Sequence, residues 1–410
     1  MLEFTPTKTQ NIKSPTVLDI FCGAGGMSLG FQNAGCEILG GIDKNPHAIR
    51  THHRNFPKCT LMRDAQSIES ITDLSKLELK PGDIDILIGG PPCQVFSVVG
   101  KGKMKSLGKH IESDARNFLY KEFIRVVQYY KPLFFVIENV NYLLNHWIFP
   151  TFTKDLQKGL DRKRKDYPGY NLSHQILTAS DYGVPQIRKR LFIVGRRKDT
   201  NLTFEFPDVN TSSPVSVGEA IGDLPELKPI SLPLKSKSTA PKQIDVPKAY
   251  HFSPESEYQK LMRTQSGDTV MNHMCRSHNE EDLHIFSIMP QGGIYKDIPD
   301  EFKRYSDRSF EDKYKRLHWH KPSWTLTAHM QKDCLAYIHP TQIRSISVRE
   351  AARLQSFPDH FVFDAPMTKM FELVGNSVPP LLAEAIAKPI VKQVQAYYEA
   401  HSEMGQPSFR

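Results

Sequence analysis

Hydrophobic residues occur along the chain in two patterns, short uninterrupted runs and a stripe at helical spacing. The uninterrupted runs are rich in β-branched residues, which predicts strands buried on both faces of a parallel sheet. These runs occupy 16–21, 38–43, 59–62, 84–88 and 133–137. The stripe, at i, i+4, i+7, i+8 and i+11, predicts an amphipathic helix and consists of Leu119, Phe123, Val126, Val127 and Tyr130. Strands and helices in this arrangement predict an α/β fold.

Two glycines and two prolines follow the fourth run and lead to a cysteine. Gly89 and Gly90 allow a sharp turn, and Pro91 and Pro92 then fix φ near about −65° and stiffen the chain. Ligands of open α/β sheets bind just beyond the carboxyl ends of the strands. The pattern therefore predicts that Cys93 is presented as a nucleophile. A buried, unreactive cysteine is the alternative, since reactivity depends on exposure and thiolate fraction.

A glycine-rich turn follows the first run. Residues 22–26 read Cys-Gly-Ala-Gly-Gly, which lets a ligand approach the backbone closely. The second run ends in Asp43, about 20 residues after the first glycines, where an acid commonly binds ribose hydroxyls. Asp64 follows the third run and is a second acid for the same ligand. Ser28 stands where a dinucleotide fingerprint has its third glycine, and a purely structural turn is the alternative.

Further polar residues follow the later runs. Glu138 ends the fifth run, where a carboxylate suits a proton donor, although a salt-bridged surface glutamate is the alternative. Gln186, Arg188 and Arg190 alternate onto one face of an extended stretch. Residues 95–114 are rich in Gly, Lys and Ser, which suits a lid that contacts phosphates, or else a solvated loop.

Composition narrows the class of protein only a little. The chain has 410 residues, enough for two domains, and its 53 Lys and Arg against 45 Asp and Glu are compatible with a polyanionic partner. Six cysteines without a Cys-x-x-Cys pair favour a reducing compartment. No signal peptide or membrane span is evident, so a cytoplasmic location is expected. His273, Cys275 and His278 lack a fourth ligand at a standard spacing, so no metal is expected.

The composition and periodicity of the sequence change after residue 200. Residues 211–248 are rich in Pro, Ser, Lys and Thr, and poor periodicity continues to 345, which predicts an inserted, loop-rich domain. Its aromatic and basic residues suit a surface that reads a DNA groove: His273, Arg276, His278, Tyr295, Arg304, Tyr305, Arg308, Tyr314, Arg316, His318, Trp319, His320 and Trp324. Regular structure returns with a Ser-x-x-Glu capping box at Ser347 and a last helix from Leu381.

Together these motifs resemble the C5-cytosine-specific DNA methyltransferases of bacterial restriction-modification systems. The resemblance covers most of the chain apart from about 200–320, and its motifs stand in order at family-like spacing. They are Asp19-x-Phe21-Cys22-Gly23-x-Gly25-Gly26, Asp43, Pro91-Pro92-Cys93-Gln94, Glu138-Asn139-Val140, Gln186-x-Arg188-x-Arg190, Arg349-Glu350-x-Ala352-Arg353-Leu354-Gln355 and Gly375-Asn376-Ser377-Val378.

The resemblance implies a fold and a catalytic mechanism. The fold is a Rossmann-like methyltransferase sheet that uses S-adenosyl-L-methionine and carries a smaller, loop-rich target-recognition domain. The resemblance implies a catalytic and cofactor-binding domain over 1–200, completed by 370–400, a target-recognition domain over 201–369 and a tail over 401–410. It also implies four catalytic residues: Cys93 adds to cytosine C6, Glu138 protonates N3, Arg190 binds O2, and Arg188 supports Cys93 and a phosphate.

The resemblance also implies the cofactor site and the partners. S-adenosyl-L-methionine, whose product is S-adenosyl-L-homocysteine, is expected to contact Phe21, Gly23, Ala24, Gly25, Gly26, Asp43, Asp64, Pro92, Leu119 and Asn376. Asp43 replaces the glutamate of many members and shortens the reach to the ribose, and Lys44 stands where an aromatic residue is common. The implied partners are duplex DNA, from which the cytosine is flipped, and a cognate restriction endonuclease. A monomer in the cytoplasm, associated with the nucleoid, is expected.

Three other functions fit less of the sequence. The transfer-RNA relatives of the same family carry a Cys-Phe-Thr tripeptide that this chain lacks. A catalytically inactive DNA-binding protein would not need the intact Cys93, Glu138 and Arg190. A nicotinamide-dependent dehydrogenase would need the third glycine and has no use for the turn before Cys93.

Overall fold

A seven-stranded sheet with the strand order β3-β2-β1-β4-β5-β8-β6 is the centre of the fold. The computed structural model describes residues 13–59, 61–62, 74–92, 119–161, 166–209, 213–232, 244–303 and 313–403. The sheet strands are β1 Thr16–Ile20, β2 Glu37–Ile42, β3 Leu61–Met62, β4 Ile86–Gly89, β5 Phe134–Val140, β6 Tyr170–Thr178 and β8 Lys189–Arg197. Strands β3, β2, β1, β4 and β5 run parallel, whereas β8 lies antiparallel to both β5 and β6.

Helices cover both faces of this sheet. The α-helices in the described part of the chain, including those of the later segments, are α1 Gly26–Asn33, α2 Pro46–Asn55, α3 Tyr120–Tyr130, α4 Phe149–Lys158, α5 Val217–Ile221, α6 Glu257–Arg263, α7 Glu280–Ile288, α8 Val348–Leu354, α9 Met367–Asn376 and α10 Pro380–Glu403. Side chains alternate between the faces along each strand: Val17 packs in one core with α1 and α10, and Leu18 packs in the other with α3 and α4. Burial on both faces explains why the strands are uninterrupted apolar runs.

The predicted strands and helices are confirmed, with shifted ends. The first strand ends at Ile20, because Phe21 adopts a left-handed φ of 61°. Glu138 lies within β5 rather than after it, since the strand continues to Val140 by pairing with β8. The capping box at Ser347 is present, and Pro389 lies inside the last helix.

The inserted segment, residues 201–345, contains only short elements in its described part. Its strands are β9 Ile230–Leu232, β10 Lys248–Ala249, β11 Thr269–Val270, β12 Ser277–Asn279 and β13 Ser323–Trp324. Strand β13 pairs in parallel with β7 Gln186–Ile187, which joins the segment to the chain between β6 and β8. Met262 and Leu326 share the core that also contains Phe31 of α1. The division of the chain into domains at 200 and 369 stays a prediction.

Several residues expected on a groove-reading surface are buried instead. Tyr295 and Tyr314 belong to a small apolar core, and Arg316 donates to the carbonyl oxygens of Phe286 and Met289 at 2.7 Å. His273 and His278 are also buried, and each ring bonds a serine hydroxyl. For these five residues the groove-reading interpretation is wrong, because their side chains are buried and none presents a surface to a groove. Arg304, Tyr305 and Arg308 lie outside the described residues.

No helix in the described part of the chain is long and apolar enough to cross a membrane. Within the same ranges, no group of three or more His, Cys, Asp or Glu side chains is arranged to hold a metal ion.

Candidate functional site

The candidate site lies at the carboxyl ends of β1, β2, β4 and β5. The chain continues from β1 to β2 and β3 on one side of β1, whereas β4 and β5 lie on its other side. The strand order therefore reverses between β1 and β4, and ligands of such sheets bind in the crevice at this reversal. The glycine turn, residues 22–26, follows β1 at this crevice. Gly23 and Gly25 have φ values of 54° and 96°, which residues other than glycine rarely adopt.

The glycine turn lies directly against the chain near the C-terminus. A Cβ on Gly26 would lie 2.2 Å from the backbone oxygen of Val378, so only glycine permits this approach. Asn376, two residues earlier, is exposed although its neighbours Gly375 and Ser377 are buried. The fold therefore brings the predicted cofactor residues of both chain ends to one crevice.

Asp43 holds the glycine turn from the end of β2. Its carboxylate accepts a hydrogen bond from the backbone N–H of Gly23 at 3.0 Å and from that of Asn45 at 2.8 Å. Burial raises the pKa of Asp43, and these two N–H groups oppose the change. The short aspartate therefore fixes the loop as well as standing at the site predicted for a ribose.

The other predicted cofactor residues are only partly described. Phe21 is half-buried at the end of β1, Ala24 is buried, and Leu119 is the N-cap residue of α3. Pro92 is half-buried beyond β4. Asp64 lies outside the described residues.

Glu138 and Arg190 form an ion pair across the β5–β8 pairing. Arg190 Nε lies 3.0 Å from Glu138 Oε1, with 15% and 12% of the two side chains exposed. Burial lowers the pKa of Arg190, and the charge of Glu138 opposes the change. The pair is therefore largely shielded from bulk water, although neither side chain is fully buried.

The turn after β4 lies beside this pair. A Cβ on Gly90 would lie 3.4 Å from Glu138 Oε2. The side chain of Asn139 donates a hydrogen bond to the carbonyl oxygen of Pro91 at 3.2 Å, which fastens the proline turn to β5. Cys93, bonded directly to Pro92, and the predicted lid at 95–114 lie outside the described residues.

Arg188 is buried and joins three segments of the chain. Its guanidinium donates to the carbonyl oxygens of Leu326, Gly375 and Ser377 at 2.7, 3.2 and 3.1 Å. Burial lowers its pKa to about 9, with a further contribution from Arg190. In this arrangement Arg188 holds Leu326 of the inserted segment against the residues that flank Asn376.

Two glutamines complete this junction, and the sequence did not predict this role for them. Gln186 accepts the backbone N–H of Leu326 at 2.8 Å and donates to Gln355 at 2.5 Å, and Gln355 donates to the oxygen of Ser377 at 2.5 Å. Gln186 and Gln355 occur in the motifs quoted above, but no local pattern shows that residues 169 positions apart are bonded. Their presence in motifs was the only signal.

The crevice suits a nucleoside cofactor. A Cβ on Gly23 would meet no atom of the described residues within 4 Å, so these residues leave space beside the turn. An acid, Asp43, and an exposed amide, Asn376, border the same crevice and supply an acceptor for hydroxyl groups and both donor and acceptor atoms for a nucleoside.

This sheet, with a glycine turn after β1 and an acid after β2, defines a Rossmann-like methyltransferase with an inserted, loop-rich segment. The chain belongs to the C-5 cytosine-specific DNA methylase family, whose sequence model matches residues 15–392. It is accordingly a DNA (cytosine-5-)-methyltransferase.

Relatives and a solved structure agree with this membership. The type II methyltransferase M1.HphI of Haemophilus parahaemolyticus is 34% identical, over 92% of this chain and 87% of that protein. The type II methyltransferase M.XorII of Xanthomonas oryzae pv. oryzae is 34% identical, over 95% and 88%. A solved Escherichia coli structure, described as a prophage-encoded DNA modification methyltransferase, has a TM-score of 0.70 and 27% identity, over 93% of this chain and 99% of that one.

Proposed function

We propose that the protein methylates C5 of a cytosine that is flipped out of a specific short duplex sequence, through a covalent bond between Cys93 and C6. Cytosine C5 is a weak nucleophile inside an aromatic ring, and covalent catalysis divides the reaction into two easier steps. The target atoms cannot be reached within a base stack, so the base must leave the duplex. The observation that carries the proposal is the Glu138–Arg190 pair beside the turn that leads to Cys93.

The residues of the pair have separate roles in this reaction. The Cys93 thiolate bonds to C6 while Glu138 delivers a proton to N3, so no negative charge accumulates on the ring. Arg190 donates hydrogen bonds to O2 and keeps the Glu138 carboxyl group in place. Once C5 carries the methyl group, loss of the C5 proton to a base, departure of the Cys93 sulfur from C6 and return of the N3 proton to Glu138 restore the aromatic ring as 5-methylcytosine.

Residues at the crevice would hold S-adenosyl-L-methionine. The glycine turn would lie along it, Phe21 would stack on its adenine, Asp43 would accept its ribose hydroxyl groups, and Asn376 and Asp64 would complete the contacts. Pro92 and Leu119 would border it from the β4 and α3 sides. When bound, S-adenosyl-L-methionine supplies an electrophilic methyl group to C5.

The proposed function also includes the contacts with DNA and the biological partner of the enzyme. The inserted segment, within the predicted recognition domain at 201–369, selects the DNA sequence, and the lysine-rich residues 95–114 contact phosphates. Arg188 supports this arrangement by holding Leu326 of the segment. Because the relatives are named type II methyltransferases, we include a cognate restriction endonuclease that acts on the same site. Such an enzyme works as a monomer at the nucleoid.

Replacement of the nucleophile tests the proposal most directly. Cys93→Ala should lower methyl transfer by about 10⁴-fold or more, because the covalent route is lost, while the affinity for S-adenosyl-L-homocysteine stays within a few-fold. Transfer of tritiated methyl groups to DNA measures the rate, and bisulfite sequencing reports the modified base and its context.

The matched control is Cys59→Ala. Cys59 is a half-buried thiol that donates to the carbonyl oxygen of Ile38 and lies outside the proposed machinery. This variant should retain transfer within a few-fold. Substantial turnover by Cys93→Ala would contradict covalent catalysis, and methylation of RNA but not of DNA would contradict the proposed substrate.

A further inference from the structure

Three buried polar side chains meet directly behind the glycine turn. Asp19 comes from β1, Ser28 from α1 and His52 from α2, and each is at most 1% exposed. Ser28 Oγ lies 2.6 Å from Asp19 Oδ2 and 3.1 Å from His52 Nε2. We call these three residues the cofactor-edge cluster. No role proposed above uses Ser28 or His52.

The His52 ring supports both backbone segments that border the crevice. A Cβ on Gly25 would lie 2.9 Å from His52 Cδ2, and a Cβ on Gly41 would lie 2.7 Å from His52 Nε2. Gly25 belongs to the glycine turn, and Gly41 precedes Asp43 by two residues in β2. A displacement of the ring would therefore move the turn and the strand end together.

The hydroxyl group of Ser28 has a single hydrogen, so Ser28 can donate to only one of its two partners. If that hydrogen bonds the Asp19 carboxylate, Ser28 can only accept from His52, which must then carry its proton on Nε2. His52 Nδ1 is buried and has no hydrogen-bond partner in the described part of the chain, as an unprotonated nitrogen tolerates better than an N–H. Burial also keeps the imidazole neutral, because it lowers the pKa of His52 to about 3.

We propose that Ser28 and His52 are positioning residues, which hold the glycine turn and the end of β2 in the geometry that binds the adenosine part of the cofactor. This proposal rests on the proposed function, since it concerns the same crevice. Ser28 bonds Asp19 and orients His52, and the His52 ring supports Gly25 and Gly41 from behind. Neither residue touches the reacting atoms.

The proposal predicts a change in cofactor binding without a change in chemistry. Ser28→Ala should raise the KM for S-adenosyl-L-methionine about 10-fold, since it leaves the Asp19 carboxylate without its hydroxyl donor. The value of kcat and the affinity for DNA should stay within about 2-fold. Calorimetric titration with S-adenosyl-L-homocysteine should show the same 10-fold weakening.

Two substitutions of His52 separate its hydrogen bond from its bulk. His52→Gln keeps an N–H donor that can reach Ser28 and should retain a KM within about 3-fold of wild type. His52→Leu removes the donor and should behave like Ser28→Ala. The matched control is Thr51→Val on the same helix, because the Thr51 hydroxyl accepts a hydrogen bond from the backbone N–H of Asp364 and does not bond the cluster.

Each outcome of the titration decides between distinct conclusions. If the wild-type protein does not bind S-adenosyl-L-homocysteine, the proposed function fails, whatever the variants do. If wild type binds but Ser28→Ala and His52→Leu bind equally well, the positioning role is overturned. Equal KM values for His52→Gln and His52→Leu, or a loss of kcat alone, would also overturn it. Should Ser28→Ala fail to fold, the two His52 variants still decide.

Discussion

Two buried polar clusters in this protein reach the same burial by opposite electrostatic routes. The cofactor-edge cluster contains one carboxylate and no cation. The second cluster, which we call the ionic cluster, consists of Arg353, Asp223 and Asp359, and each of their side chains is at most 1% exposed. Arg353 donates to Asp359 at 2.9 and 2.5 Å and to both carboxylate oxygens of Asp223.

The pKa values follow this difference. Burial raises the pKa of Asp19 to about 7, and the bond from Ser28 only partly offsets it. Burial also acts to raise the pKa of Asp359, but the charges of Arg353 and Arg349 and the hydrogen bonds from Arg353 and Tyr250 together lower it. The cofactor-edge cluster is thus held by hydrogen bonds whose protons can redistribute, whereas in the ionic cluster Arg353 favours the ionised form of Asp359.

The difference corresponds to the places of the two clusters in the fold. Asp223 follows α5 in the inserted segment, and Arg353 lies on α8, so the ionic cluster fastens the segment to the helix after it. The cofactor-edge cluster instead joins β1, α1 and α2 behind a crevice. We infer that the ion pairs of the ionic cluster stabilise the fold, whereas the hydrogen bonds of the cofactor-edge cluster set the geometry of the crevice.

The largest expected effect is on the ionic cluster. Arg353→Met removes the shared cation and leaves two buried carboxylates without their main partner, so we expect a loss of about 3–5 kcal/mol of unfolding free energy. Urea denaturation followed by circular dichroism measures it. Lys260→Met, which breaks an exposed pair with Glu257, should cost about 0.5 kcal/mol or less. Equal effects of the two substitutions would show that the ionic cluster stabilises the fold no more than an exposed ion pair does.

A smaller effect is expected from the Asp19 carboxylate, and it depends on pH. The folded-state pKa of about 7 lies above the ordinary value of 3.8, so the folded protein holds a proton that the unfolded chain releases. This contribution to stability is complete below about pH 4 and is lost as pH rises towards 7. Wild type should therefore lose stability relative to Asp19→Asn by at most about 1.4 kcal/mol per pH unit between about pH 5 and 7.

Denaturation of both proteins across that pH range checks the sign and the window. Ser28→Ala should steepen the decline, because the bond from Ser28 favours the ionised carboxylate. A difference between wild type and Asp19→Asn that stays constant with pH would show that Asp19 is ionised throughout. The two clusters would then have the same electrostatic character.

Sequence reasoning predicted the central sheet well because its signal is local. Strands β1, β2, β4 and β5 are buried on both faces, so each appears as one apolar run, and the stripe beginning at Leu119 identifies α3. The ends were less predictable, since the left-handed φ of Phe21 and the pairing that extends β5 beyond Glu138 depend on contacts with other strands.

The polar junctions could not be predicted, because their partners are distant in sequence. Ser28 and His52 are 24 residues apart, and Arg188 bonds Leu326, which lies 138 residues further along the chain. The inserted segment was the least predictable region, since its strands of two or three residues are too short to show periodicity. Burial of Tyr314 and Arg316 there follows from packing that no spacing reveals.

Among the substitutions at the two clusters, the smallest expected effect lies at the rim of the ionic cluster, on Arg263. Its side chain is 18% exposed, donates to Asp223 Oδ2 at 3.3 Å and to the carbonyl oxygen of Phe252 at 2.8 Å, and lies 3.6 Å from the ring centroid of Tyr250. Arg263→Met keeps the apolar part of the side chain but loses both hydrogen bonds. We expect a loss of about 1 kcal/mol, because water can replace a partner at an exposed rim.

A double-mutant cycle shows whether the rim and the centre act as one unit. If Arg353 alone neutralises Asp223, the effects of Arg263→Met and Arg353→Met should add to within about 0.5 kcal/mol. If both arginines share that carboxylate, the second substitution should cost more in the presence of the first, because Asp223 then keeps no cation at all. Coupling above about 1 kcal/mol would extend the ionic cluster to Arg263 and make the inserted segment depend on four charged residues rather than three.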